Sequence, residues 1–204
     1  MKHMNWRKFL EVTKQRKPTS FLVEVVEKAK VKNGLALDLG CGAGVDAKYL
    51  AENGFLVTAI DSDKNSISFV KSVCKGLPVK AAKRDIKSYK INSNSYNMII
   101  SWNALPFLKK RDFIKTLLKI QRGLKRKGFF VFSLFGPEDA WAKKKPGMSF
   151  LTIEELKQTM NEMDFFKIAE EKQKKPSATG KMKFWHLIQG IARRKKRRNN
   201  KHIG

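Results

Sequence analysis

The chain has 204 residues, of which 42% are hydrophobic, and this suits a single globular domain with a sizeable core. No run approaches the roughly 18 consecutive apolar residues of a membrane span. The two cysteines show neither metal-ligand spacing nor a disulfide framework. The composition therefore excludes membrane-spanning proteins and disulfide scaffolds, indicates no metal site, and favours a reducing, cytoplasmic compartment.

The formal net charge of +26 is spread over the whole chain. The last twelve residues carry +7, which leaves +19 on the rest. Two interpretations stay open: a lysine-rich solvated surface, or an electrostatic footprint for nucleic acid or another polyanion. Residues 193–204 show no apolar pattern and hold four of the ten arginines, so they are predicted to form a basic, disordered tail.

The N-terminal segment is basic and lacks the apolar region of a signal peptide. Apolar residues at helical spacing predict helix over residues 5–30 with one break at QRKPTS, where Pro18 is placed to start a second helix. We interpret residues 1–33 as a helical lid that would close over a pocket.

From residue 34 onward, predicted strands and helices alternate. The predicted strands are 35–39, 55–60, 80–83, 96–101 and 129–134, and the predicted helices are 45–53, 66–75 and 111–124. Strands separated by helices of about ten residues imply right-handed crossovers and a mostly parallel sheet.

In the last third of the chain, strands and helices no longer alternate. The capping box TIEE, with Thr152 as N-cap and Glu155 three residues later, opens a helix predicted to run to Met163. Two further strands, 166–172 and 183–191, flank a polar loop and predict a hairpin. The predicted fold class is α/β: a Rossmann-like, doubly wound, mostly parallel seven-stranded sheet with a C-terminal antiparallel hairpin, over residues 34–192.

A glycine-rich loop follows the first predicted strand. In LDLGCGAGVDAKYLA, Gly40, Gly42 and Gly44 stand where a strand meets a helix, as they do where backbone must lie against a ligand. Asp61 ends the second strand, 21 positions after Gly40, and a carboxylate there can accept both hydroxyls of a ribose. The two features predict a nucleoside-binding site.

The run LDLGCGAGVDAKYLAENGFLVTAIDSD resembles the class I S-adenosylmethionine-dependent methyltransferases, and the resemblance covers about residues 18–191. The N-terminal W…RKPTSFL and the C-terminal FLTIEEL…KFWHLI resemble the small-molecule branch that includes tellurite and thiopurine methyltransferases. The resemblance implies S-adenosyl-L-methionine as cofactor and S-adenosyl-L-homocysteine as product.

The resemblance also implies roles for individual residues around the glycine loop. Asp38 would orient the loop and approach the amino group of the cofactor through water. The loop residues Gly40, Cys41 and Gly42 would line its methionine moiety.

Further residues would hold the nucleoside and the sulfonium. In the family pattern Asp61 would bind the ribose, with Ser62 beside the adenine. Asp85 and Ile86 would recognise the adenine through a carboxylate and a backbone amide. The positions that the resemblance places beside the sulfonium are Ser101 and Trp102.

The sequence contains no clear general base for the transfer. It lacks the NPPY-type tetrad for amino groups on bases and the cysteine pair for pyrimidine carbon, and SWNALPFL has the character of an apolar wall. We therefore expect a small, soft or anionic acceptor, because a thiolate or a reduced metalloid anion needs no base. The substrate-pocket candidates, including a cationic rim, are Trp102, Asn103, Trp6, Arg16 and Lys17.

Several residues have a simpler structural interpretation. Cys41 is expected to be a small loop filler rather than a nucleophile, and His186 a satisfied structural histidine rather than a base. Trp141 and Trp185 are expected to serve in packing, whereas Phe107 could line either the core or the pocket. An RNA-directed methyltransferase or RNA-binding protein remains the alternative function, because the basic body and tail could grip phosphate.

Overall fold

The computed structural model describes residues 6–28, 33–177 and 180–196, with side chains from Leu10 onward. The pocket candidate Trp6 begins the first helix, but its side chain lies outside the described part. Residues 197–204 of the predicted tail also lie outside it. The assignment of residues 1–33 as a lid remains a prediction.

The seven strands of the sheet stand in the order β3-β2-β1-β4-β5-β7-β6. They are β1 (Gly34–Leu39), β2 (Phe55–Asp61), β3 (Val79–Lys83), β4 (Tyr96–Trp102), β5 (Leu124–Phe135), β6 (Met163–Pro176) and β7 (Met182–Arg194). The first five strands pair in parallel, whereas β7 is antiparallel to both β5 and β6. The predicted fold class is confirmed.

Helices cover both faces of the sheet. They are α1 (Trp6–Thr13), α2 (Ser20–Lys28), α3 (Val45–Glu52), α4 (Lys64–Val73), α5 (Lys110–Gly123) and α6 (Ile153–Thr159). Buried residues of α2, α3 and α4 pack on one face, and those of α5 and α6 pack on the other. Because both faces are covered, the central strands are almost continuously apolar, as in Ile99–Ile100 and Phe130–Phe132. No helix among the described residues is long and apolar enough to cross a membrane.

Tertiary contacts move several boundaries away from the predicted ones. The capping box at Thr152 and Glu155 is confirmed, but α6 ends at Thr159 and strand β6 begins at Met163. Strand β7 continues to Arg194, inside the segment predicted to be a disordered tail, because Arg194 pairs with Met163 and its guanidinium donates to the Leu124 carbonyl at 2.6 Å.

The topology brings the loops that carry the candidate site residues together at one edge of the sheet. The parallel strands β1 to β5 all end there, and the strand order reverses between β1 and β4, which is where doubly wound folds bind their ligands. Since β7 runs antiparallel, its first residues lie at the same edge.

Candidate functional site

The glycine loop between β1 and α3 is held close to its neighbours. The amides of Gly40 and Cys41 both donate to the Ile60 carbonyl at 2.9 and 3.0 Å. A Cβ on Gly40, where φ is 79°, would lie 2.2 Å from the Cβ of Ala104. A Cβ on Gly42, where φ is 51°, would meet nothing within 4 Å. Gly40 therefore permits close packing, whereas Gly42 keeps the space beside the loop open.

This difference predicts that Gly40→Ala loses more stability than Gly42→Ala. Gly40→Ala is expected to lower the free energy of unfolding by about 2–5 kcal/mol, because left-handed strain and overpacking against Ala104 add. Gly42→Ala incurs only the strain of about 1–2 kcal/mol and instead places a methyl group in the cavity, so ligand affinity should fall. Urea unfolding and calorimetric titration with S-adenosylmethionine measure the two effects. Equal losses of stability would contradict the distinction.

Asp61 connects the glycine loop to the loop that follows β2. Its Oδ2 accepts from the Gly42 amide at 3.0 Å, and its Oδ1 accepts from the Asp63 amide at 2.9 Å. Burial raises the pKa of this carboxyl above its ordinary value, while these amides act in the opposite direction. Each oxygen keeps acceptor capacity, and the residue lines the cavity.

Asp85 and Ile86 follow β3 at the same edge. The Lys87 amide donates to Asp85 Oδ1 at 3.0 Å, and the Lys87 ammonium lies 3.3 Å from Oδ2. The Asp85 side chain is half-exposed, and Ile86 lies beside the glycine loop, its Cδ1 3.5 Å from a Cβ built on Gly40. Both residues line the cavity.

A buried carboxylate cluster lies beneath the glycine loop. Burial, and then the neighbouring Asp46, hold the pKa of Asp38 well above its ordinary value. Asp46 is bound by the Arg16 guanidinium through both oxygens, and by Thr19 through its amide at 2.9 Å and its hydroxyl at 3.1 Å. The segment between α1 and α2 is thereby tied to the first turn of α3.

Sequence reasoning missed Asp46, although an acid in the first turn of the helix after the glycine loop was a visible signal. It also overestimated the cationic rim. Arg16 does line the cavity, but Asp46 neutralises its charge, and Lys17 is an exposed residue that is not part of the described lining.

These residues surround one cavity of about 950 Å³. Eleven of the candidate site residues line it: Arg16, Asp38, Gly40, Cys41, Gly42, Asp61, Ser62, Asp85, Ile86, Trp102 and Asn103. Ser101 does not, because it is fully buried and its hydroxyl donates to the Leu39 carbonyl at 2.9 Å, which joins β4 to β1. The Ser101 hydroxyl thus serves the sheet, and Trp102 and Asn103, which follow it, line the cavity.

Aromatic rings form the other end of the cavity. Its described lining includes Trp102, Phe107, Phe135, Trp141 and Trp185, and the ring centroids of the last two lie 5.6 Å apart. Phe107 therefore faces the cavity, which settles the alternative that the sequence left open. Trp141 and Trp185, which were expected to serve in packing, do pack on each other and on Phe135, and both also line the cavity.

Two structural expectations are met. Burial raises the pKa of the Cys41 thiol well above its ordinary value, so the thiol stays protonated as a filler of the loop. Both ring nitrogens of His186 have hydrogen-bond partners: Nδ1 accepts from the Glu138 amide at 3.1 Å, and Nε2 donates to the Glu170 carboxylate at 2.7 Å.

The family model described as "Tellurite resistance protein TehB" matches residues 6–184. The chain belongs to the TehB family. This confirms the predicted place among the class I S-adenosylmethionine-dependent methyltransferases, near the tellurite branch.

Relatives of this TehB-family chain agree with that placement. A Haemophilus influenzae (strain Rd) protein named a probable S-adenosyl-L-methionine-dependent methyltransferase TehB is 33% identical over 110 residues, covering 52% of this chain and 38% of that protein. YqeM of Bacillus subtilis is 28% identical over 137 residues, covering 62% of this chain and 56% of YqeM. The chain thus matches about half or less of the length of these curated relatives.

Solved structures show the same fold. The crystal structure of TehB from Haemophilus influenzae superposes with a TM-score of 0.71 at 24% identity, covering 93% of this chain and 67% of that one. The N-methyltransferase NodS from Bradyrhizobium japonicum, solved in complex with S-adenosyl-L-homocysteine, gives 0.66 at 16% identity, with 95% and 100% covered.

Proposed function

We propose that this TehB-family chain is an S-adenosylmethionine-dependent methyltransferase that acts on a small, soft acceptor. The observation that carries the proposal is the division of one cavity into a carboxylate-rich end beside the glycine loop and an aromatic end beside the C-terminal hairpin. The first end suits the methyl donor, and the second suits the acceptor.

The described cavity wall is rich in acids, although the chain as a whole is rich in bases. Among the described residues, six aspartates line the cavity against three basic side chains, although the whole sequence holds 44 lysines and arginines and only 18 acids. S-adenosylmethionine carries a sulfonium and an ammonium against one carboxylate, so a negative wall favours it. The carboxylates are Asp38, Asp46, Asp61, Asp63, Asp85 and Asp112.

The proposed cofactor contacts follow from position along this end of the cavity. The Asp61 carboxylate would accept hydrogen bonds from the ribose hydroxyls, and Asp85 with the Ile86 amide would hold the adenine. Gly42 leaves room for the methionine moiety, whose ammonium would lie toward Asp38. These assignments place the sulfonium toward Trp102 and Asn103, where the aromatic end begins.

The aromatic end supports a polarisable acceptor. No histidine lies on the described cavity wall, so an amine or hydroxyl would find no imidazole to take its proton. A sulfur atom gains favourable contacts with aromatic rings. Of the described basic residues on the wall, Arg16 is paired with Asp46 and the Lys87 ammonium lies 3.3 Å from Asp85 Oδ2. A soft anion such as a thiolate would therefore depend on the aromatic rings more than on a cationic rim.

The transfer itself needs alignment more than proton movement. S-adenosylmethionine would supply the methyl group: the acceptor's lone pair would form the new bond as the sulfur–methyl bond breaks, and S-adenosylhomocysteine would be left. With a thiolate acceptor no proton remains to be removed. Holding the two groups in line can lower the barrier by roughly 7–11 kcal/mol. Neither the described residues nor the matched relatives support the RNA-directed alternative.

A panel of acceptors with methyl-labelled S-adenosylmethionine tests the proposal. We expect sulfide, thiophenol and tellurite to accept the label at least about ten times faster than aniline or catechol, because only the latter two require a base. Calorimetric binding of S-adenosylmethionine is measured in parallel. Preferential labelling of aniline or catechol would overturn the soft acceptor, and absence of cofactor binding would overturn the methyltransferase itself.

A further inference from the structure

A buried ammonium lies behind the aromatic end of the cavity. Lys183, the second residue of β7, is only 9% exposed. Its Nζ lies 3.6 Å from the ring centroid of Trp141, 3.7 Å from that of Trp185 and 5.2 Å from that of Phe135. All three rings line the cavity, whereas Lys183 is not part of the described lining. The ammonium therefore touches the wall from outside the cavity.

One carboxylate holds this ammonium and joins two segments. Asp139, in the loop after β5, is 2% exposed. Its Oδ1 accepts from Lys183 Nζ and from the Trp141 amide at 2.9 Å, and its Oδ2 accepts from the His186 amide at 3.2 Å. Burial lowers the pKa of the Lys183 ammonium, and the hydrogen bond to Asp139 opposes that effect.

The sheet alone does not support this part of the wall. The last pair between β5 and β7 joins Phe135 to Leu187, so Lys183 and Trp185 lie in a stretch of β7 that pairs with β6 only. Residues two apart in a strand share a face, which places the ammonium beside the Trp185 ring. Trp141 comes from a separate loop. Backbone hydrogen bonds from Gly136 and Ala140 join that loop to the carbonyls of β7, and the buried Asp139 carboxylate adds side-chain contacts to both segments.

We propose that Lys183 is a positioning residue whose ammonium, held by Asp139, fixes the Trp141 and Trp185 rings as the acceptor wall of the cavity. The role of these rings as a wall for the acceptor rests on the proposed function. The claim that Lys183 holds the rings in place does not depend on it. Because the indole faces already contact an ammonium, a cationic acceptor gains no cation–π attraction there, and the wall favours uncharged or soft acceptors.

Substitutions that separate charge from volume test the inference. Lys183→Met keeps most of the apolar stem and removes the ammonium, whereas Lys183→Arg keeps a cation. Lys145→Met is the matched control, since Lys145 Nζ also lies over the Trp141 ring, at 4.2 Å, but its side chain is exposed. Acrylamide quenching of tryptophan fluorescence reports how tightly the indoles are held.

We expect quenching to increase in Lys183→Met and to stay near that of the unmodified chain in Lys183→Arg and Lys145→Met. With thiophenol as acceptor, the KM for thiophenol should rise about 5- to 10-fold in Lys183→Met, which corresponds to loss of a desolvated cation–π contact. Affinity for S-adenosylmethionine should stay within about 2-fold, since none of the Lys183 contacts given above involves a residue assigned to the cofactor.

Chemical rescue distinguishes the ammonium from packing. In Lys183→Ala, added n-propylammonium should restore low quenching, whereas 1-propanol, which has the same number of heavy atoms, should not. Equal rescue by both, or quenching in Lys183→Met equal to that of the unmodified chain, would overturn the positioning role. If Lys183→Ala does not fold, the Met and Arg variants still decide. If thiophenol is not methylated, acrylamide quenching still tests the positioning role of Lys183. Binding of S-adenosylmethionine then tests the proposed function separately.

Discussion

Replacing Asp61 with alanine is expected to weaken binding of S-adenosylmethionine about 10- to 150-fold, because a hydrogen bond to a charged group contributes about 1.5–3 kcal/mol. Part of the effect is indirect. The carboxylate also accepts from the amides of Gly42 and Asp63, so its loss frees the glycine loop from the loop after β2. Isothermal titration calorimetry measures the affinity, and urea unfolding measures the loss of loop support.

Two further variants separate these contributions. Asp61→Asn keeps one acceptor oxygen and should retain part of the affinity. Asp63→Asn removes the same charge from the same cavity wall. The Asp63 carboxylate is the N-cap of α4 and accepts from the amides of Asn65 and Ser66. Asparagine is as good an N-cap as aspartate, so this variant should keep the helix start. If Asp63→Asn lost as much affinity as Asp61→Ala, the effect would come from the electrostatic potential of the cavity wall, and the ribose contact would be refuted.

Replacing Asp46 with alanine is expected to lower the free energy of unfolding by about 2–4 kcal/mol. Removing one partner of a buried ion pair costs about 3–5 kcal/mol, and we reduce this because the Arg16 side chain is 33% exposed. The Thr19 amide and hydroxyl lose their acceptor as well. The midpoint of thermal unfolding should fall by about 5–15 °C for a chain of this size.

The matched variant is Arg16→Met, which leaves Asp46 with both hydrogen bonds from Thr19. It should therefore cost less stability than Asp46→Ala. Because the pair ties the segment before α2 to α3, limited proteolysis near residues 14–19 should accelerate in both variants. An unchanged unfolding midpoint in Asp46→Ala, or unchanged proteolysis in both, would show that this connection contributes nothing.

The sequence by itself determined the order and nature of most elements. Alternation of apolar runs and amphipathic stretches is a local property, so five parallel strands, the intervening helices and the Thr152 capping box were all predictable. The glycine loop and Asp61 were also visible, because a ligand at a strand-to-helix turn demands those residue types at that spacing. These features predicted a nucleoside site, and the resemblance to class I methyltransferases implied the methyl donor.

Only the tertiary structure decided which groups meet at the cavity. Arg16 and Asp46 are 30 residues apart, and Asp139 and Lys183 are 44 apart, so no local pattern relates the members of either pair. Their meeting depends on packing of the N-terminal segment against α3 and on insertion of β7 between β5 and β6. That insertion brings Trp185, expected to serve in packing, to the cavity wall beside Trp141. Strand pairing over long sequence separations, rather than side-chain periodicity, sets which end of β7 reaches the cavity.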